Sequence, residues 1–263
     1  MHFSTTAIVL STLAAGQALA ASILPHAHGH AHQQGKRHNN AVRHVEFMKA
    51  QSERRDAALL SATDSSLLTT LGFTSSGTNA VASSATVPWL GNDGKWTNEF
   101  TNESDDDIVL AVWGPVGSWV NNVKPQITVS IPKGGSKTVS FPDGWSGAWA
   151  PVHKGTKLVM GQIYDTWGEA TFSAPFSVAD VSREVNMKGR SMTIVTPTCT
   201  SDMNTCVFKC DGGVETCMTG YSLVNCATNS QPGAYFGYDY LGAASGGCGG
   251  MGNSANLKTI LGN

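Results

Sequence analysis

The stretch DIVLAVWGPVGSWVNNVKPQITVSIPKGGSKTVSFPDGW, residues 107 to 145, decides the fold. Its first seven residues, to Trp113, are apolar after Asp107 and do not alternate, the pattern of a strand buried on both faces. QITVSIP does alternate, with Ile127, Val129 and Ile131 on one side and Thr128 and Ser130 on the other. KTVSFP repeats the pattern with Val139 and Phe141. PKGG (132–135) between them is a turn signal at hairpin spacing, and PDGW (142–145) is a second turn. KLVMGQIYDTW (157–167), ATFSAPF (170–176) and SMTIVT (191–196) supply further strands. SVADVSREVNM (177–187) is the helix-like exception, with a short turn expected over Ser182 to Met187. Many short strands with frequent Gly and Pro turns predict an all-β sandwich.

Upstream of this region the chain changes character. Residues 1–20 carry an apolar run from Ala7 to Ala15, shorter than the ~20 residues that cross a bilayer, and end in Ala18-Leu19-Ala20. They read as a secretory signal cut after Ala20. Residues 21–37 hold His26, His28, His30 and His32 before the pair Lys36-Arg37, and read as a His-rich pro-segment removed after Arg37, with Arg54-Arg55 as a second processing pair. A cut after Arg37 leaves His38 at the terminus, where its amine and imidazole with His44 or His153 form a potential copper chelate. Residues 38–88 read as a flexible or partly helical region ending in the small, polar linker TSSGTNAVASSATVP (74–88). The folded domain is therefore expected over residues 89–263.

From Trp89 onward there are fifteen acidic and eleven basic residues, a net charge of −4. With no basic stripe, nucleic acid and anionic membranes are not expected partners. The sequence shows no phosphate loop, dinucleotide fingerprint, nucleophile elbow or zinc-protease helix, so no cofactor is expected. The six cysteines, Cys199, Cys206, Cys210, Cys217, Cys226 and Cys248, crowd into a glycine-rich C-terminal segment. In a secreted chain they predict three disulfides that staple a small core, with the pairing open. A structural zinc site is the alternative.

The densest aromatic region, WSGAWAPV (145–152) with IYDTWGEATF (163–172), offers Trp145, Trp149, Tyr164 and Trp167 as a carbohydrate-binding face, against the alternative that these rings are core. Asp165 and Glu169 flank Trp167-Gly168 and are the first candidates for a glycosidase pair, followed by Asp143, Asp180 and Glu184. Glu103, Asp105, Asp106 and Asp107 form an acidic run that reads either as a calcium loop or as a solvated one. Asn102-Glu103-Ser104 is an N-glycosylation acceptor, and His153 is the only histidine in the expected domain.

IVLAVWG, ITVSIPKGGSKTVSFPDGWSGAWAPV, DTWGEATFS and EVNMKGRSMTI followed by Cys199 and Cys206 together resemble the secreted fungal allergen family typified by Asp f 4. SGAW and TWGE carry most of the match, over roughly residues 95–215. The strand order and Trp-Gly turns are more faintly similar to thaumatin-like β-sandwiches, some of which bind β-1,3-glucan. The resemblance implies a secreted, wall-associated protein with no established catalytic activity, and it supplies no active-site residues. The expected function is non-catalytic binding of a polysaccharide such as β-glucan. The alternatives are a weak β-glucanase-like glycoside hydrolase and a host-interacting effector.

Overall fold

The computed structural model describes residues 59–114 and 121–263. Ala20, Lys36, Arg37, the histidines from His26 to His44 and the Arg54-Arg55 pair lie outside the described residues. Among the described residues, helix α1 (Ala62–Leu71) precedes the strands β1 (Trp89–Leu90), β2 (Trp96–Asn102), β3 (Ile108–Trp113), β4 (Ile127–Ile131), β5 (Ser136–Phe141) and β6 (Trp145–Val152). There follow β7 (Leu158–Val159), β8 (Gln162–Ile163), β9 (Trp167–Phe172), β10 (Val178–Ser182), β11 (Met192–Val195) and β12 (Thr200–Ser201). The C-terminal part adds β13 (Val207–Cys210), β14 (Tyr221–Val224), β15 (Ala234–Tyr238), β16 (Ala244–Cys248) and β17 (Ala255–Leu261).

These strands build a mainly β sandwich. A six-stranded sheet runs β1-β5-β2-β17-β11-β12, and a nine-stranded sheet runs β14-β13-β10-β9-β6-β3-β4 with β16 and β15 branching from β10. The β7–β8 hairpin stands apart. Trp96, Phe100, Val139 and Phe141 from the six-stranded sheet meet Ile108, Leu110, Val112, Trp145, Trp149 and Phe172 from the other. Flat contacts such as Trp96 on Phe172 and edge contacts such as Phe100 on Trp149 fill the layer between them.

The unbroken apolar run of β3 has a direct cause. Ile108, Leu110 and Val112 enter this inter-sheet core, while Val109, Ala111 and Trp113 enter a second core on the outer face. Helix α1 lids that second core through Leu68, which is 2% exposed, with Phe73 beside it. Ser61 caps the helix by accepting from the Asp64 N–H, and Gly72 ends it in the left-handed region at φ 97°.

The domain therefore reaches back beyond Trp89, and residues 74–88 are not a free linker. Asn79 lies along β4, its Nδ2 donating to the Thr128 carbonyl and its Oδ1 accepting from the Thr128 N–H, both at 2.8 Å. Its side-chain amide thus takes the place of a neighbouring strand and closes an edge that would otherwise be open to pairing.

Two further expectations are corrected. PKGG does not close a hairpin: β4 and β6 belong to the nine-stranded sheet and β5 to the other, so PKGG, like the turn at PDGW, carries the chain across the sandwich. Residues 178–182 are strand rather than helix-like, because Ala179 and Val181 point into the inter-sheet core with period two. Three disulfides staple the C-terminal part: Cys199–Cys248, Cys206–Cys226 and Cys210–Cys217. All six cysteines are so used.

Candidate functional site

The expected sugar-binding rings are core. Trp145, Trp149 and Trp167 are all at most 2% exposed. Trp145 donates its indole N–H to Gln126 Oε1 and Trp167 donates to the Ile163 carbonyl. Packing around Trp149 is so close that a Cβ at Gly168 would lie 2.2 Å from its Nε1, which explains the glycine of the TWGE motif. Tyr164 is half-buried, and its hydroxyl donates to Glu215.

Asp165 and Glu169 are not brought together either. Asp165 is buried, accepts from the backbone N–H groups of Thr166 and Arg190, and lies 3.6 Å from His153 Nε2. It lines a hollow with His153, Tyr164 and Arg190, whereas Glu169 lines two different ones. His153 Nδ1 accepts from the Gly155 N–H and lies 3.2 Å from Arg190, so the described contacts of its ring include no serine or threonine hydroxyl that a nucleophilic triad requires.

Asp143 is exposed and holds the Trp96 indole and the Ala174 N–H. The acidic run divides among separate partners: Asp105 pairs with Lys133, Asp106 with Arg190, and Asp107 accepts from the Lys133 N–H. Asn102 is fully buried, and its Nδ2 donates to the carbonyls of Asp106 and Ile131 while its Oδ1 accepts from Ser104. That nitrogen has no room for a glycan, so the acceptor sequence is a structural element in the fold.

What the fold does assemble is an acidic cleft on the outer face of the nine-stranded sheet. Ala170 and Phe172 of β9 point into the inter-sheet core, so Glu169 and Thr171 face outward. On β10 the same alternation turns Asp180 outward, directly opposite Glu169 in the antiparallel register. Glu184 follows just past the end of β10.

Two adjoining cavities of about 200 and 270 Å³ share Glu169, Glu184 and Tyr221. Phe208, Asp180, Asp239 and Ser245 line the first, and Trp167, Val185 and Met218 the second. No lysine, arginine or histidine is among the lining residues of either.

Glu169, Asp180 and Glu184 lean towards the protonated form. Burial, and then the charge of Glu184, pushes Glu169 up to about 8. Burial also lifts Glu184 to about 7, with a Ser182 hydroxyl hydrogen bond opposing. Asp180 is raised by burial and by both glutamates. It is 5% exposed, and its Oδ1 has no hydrogen-bond partner.

Tyr221 is raised as well, by burial and then by Glu184, Asp239 and Glu169. Beyond the cleft wall, the β15–β16 hairpin exposes Tyr235, Tyr238, Tyr240 and Leu241, with Tyr240 93% exposed. Sequence reasoning missed Asp239 and these tyrosines. The available signal was GAYFGYDYLG (233–242), four aromatic rings in ten residues with no apolar partner pattern to bury them.

Residues 90–231 match the Allergen Asp f 4-like domain. The chain belongs to that family. The matched part of this Asp f 4-like chain includes Glu169, Asp180, Glu184 and Tyr221 and stops before the β15–β16 hairpin. No curated protein matches the chain. Among solved structures, the thaumatin-like xylanase inhibitor TLXI is similar at 10% sequence identity with a TM-score of 0.34, over 62% of this chain and 97% of that one.

Proposed function

We propose that this Asp f 4-like protein is a secreted, non-catalytic polysaccharide-binding protein, associated with the cell wall, whose ligand lies in the acidic cleft and against the tyrosine hairpin. One observation carries the reading: a cleft with buried, unsaturated hydrogen-bonding capacity at Asp180 is walled in part by a hairpin that exposes three tyrosine rings. Carboxyl groups that both donate and accept suit sugar hydroxyls, and flat rings suit the apolar faces of sugars. The Ala18-Leu19-Ala20 signal and three disulfides support an oxidising, extracellular setting.

Binding is favoured over hydrolysis by the electrostatics. A glycosidase separates its two carboxyls into an acid and an ionised base or nucleophile. Here burial moves Glu169, Asp180 and Glu184 in the same direction, with no cationic side chain in the cleft lining to hold one ionised.

The test is depletion of the protein from solution by insoluble β-1,3-glucan, chitin, deacetylated chitin and xylan, for the wild type and for Tyr221→Ala with Tyr240→Ala. Retention on at least one polymer that weakens in the variant supports the reading. No retention on any of them, or release of reducing sugar in proportion to bound protein, refutes it.

A further inference from the structure

The acidic cleft has a property that a binding site for a neutral sugar does not need. Glu169, Asp180, Glu184 and Asp239 line it, and no basic side chain stands among its lining residues to balance them. Outside the cleft, three acidic groups have cationic partners: Asp105 pairs with Lys133, Asp106 with Arg190 and Glu215 with Lys188. The nearest arginine along the chain, Arg183, sends its guanidinium to the carbonyls of Met203 and Met187 rather than to a cleft carboxylate. Asp180, 5% exposed, lines the first cavity, and its buried Oδ1 has no hydrogen-bond partner. A buried acceptor left unpaired costs about 1–3 kcal/mol, so a donor arriving from outside recovers stabilisation there.

Building on the polysaccharide-binding reading, we infer that the cleft selects a saccharide with free amino groups, a deacetylated amino-sugar chain of the chitosan type, over neutral or N-acetylated chains. An ammonium brings three N–H donors and a positive charge that favours the ionised form of a cleft carboxyl, whose proton leaves to solvent on binding, whereas a hydroxyl brings one donor and no charge. Phe208 and Tyr221 stand beside the carboxyls, and aromatic faces attract an ammonium as well as a sugar ring. The β15–β16 hairpin that gives Asp239, Ala244 and Ser245 to the cleft also exposes Tyr235, Tyr238 and Tyr240. A divalent metal is a poorer fit: among the described residues, only the sulfurs of Cys199, Cys206 and Cys248 bring three ligand atoms within 4.8 Å of one another, and the cleft carboxyls do not.

Calorimetric titration tests this with four soluble probes at pH 6 and fixed ionic strength: tetraglucosamine, its fully N-acetylated counterpart, a neutral β-glucan tetramer and tetralysine. Tetraglucosamine is expected to bind about tenfold tighter than either uncharged sugar, the factor one charge-assisted contact supplies. It should also bind tighter than tetralysine, which carries charge without sugar rings. The gap over the uncharged sugars should collapse in Glu169→Gln with Glu184→Gln, a variant whose fold is checked by its thermal melt and whose residual binding of uncharged sugar is read in the same titration.

Equal binding of charged and uncharged sugars overturns the inference and leaves the polysaccharide reading standing. So does a preference that survives the double variant, or tetralysine binding as tightly as tetraglucosamine. Absence of binding by any sugar overturns both.

Discussion

Glu169→Gln should stabilise the protein in alkaline solution and leave it unchanged in acid. Glu169 sits on β9 opposite Asp180, in a cleft whose burial and Glu184 charge raise it from an ordinary 4.5 to about 8. An acid whose folded value lies above its unfolded one keeps its proton longer in the folded chain. Its contribution is therefore complete below about pH 4.5 and is lost as pH rises through about 8. At about 1.4 kcal/mol per pH unit, the cost of holding this carboxylate ionised in the fold is at most about 5 kcal/mol. The side chain keeps partial access to water, which screens much of that, so we expect about 1–2 kcal/mol. Glutamine has nearly the same shape and no charge. Denaturant unfolding without reductant, followed by tryptophan fluorescence, should show the variant more stable than wild type by about 1–2 kcal/mol at pH 9 and equal within a few tenths at pH 4. The same difference at both pH values, or a less stable variant at pH 9, would refute the electrostatic account of the cleft.

Three other outcomes test the architecture. Gly168→Ala places a Cβ against the Trp149 indole and should lower stability by about 1–3 kcal/mol in a thermal melt. Leu68→Ala should cost about 2–5 kcal/mol, because α1 is part of the second core, whereas a free leader segment would give no change. Asn102→Ala should cost about 2 kcal/mol or more through the carbonyls and N–H left unpaired, and intact mass before and after N-glycosidase treatment should be identical.

The sandwich was legible because strand burial writes itself into local pattern. The continuous run at 108–113 and the alternation at 127–131 and 136–141 each record which faces meet a core. Sheet membership was not legible: a turn such as PKGG bends the chain whether the next strand returns beside the last or crosses to the facing sheet. The same distinction explains the site. Asp165 and Glu169 are near in sequence, but β pairing joins Glu169 to Asp180, eleven positions away. Trp145, Trp149 and Trp167 looked like a binding face because composition does not record burial. The linker reading of 74–88 failed because small polar residues there, Thr74, Gly77 and Asn79 among them, hydrogen-bond to residues 123–128, with Asn79 replacing a strand's hydrogen bonds by its side chain. Asp239 and the hairpin tyrosines sit in a stretch whose glycines and cysteines suggest stapling alone, and the β16–β10 pairing brings Asp239 to the cleft.

The central claim is that the ligand enters the Glu169–Asp180–Glu184 cleft. The most direct measurement is a two-dimensional amide NMR titration of the disulfide-intact protein with tetraglucosamine. Shifts concentrated at Glu169, Asp180, Glu184, Tyr221 and residues 235–246 are the predicted result. Shifts gathered instead around His153, Asp165 and Arg190, or no saturable shifts at all, would contradict it.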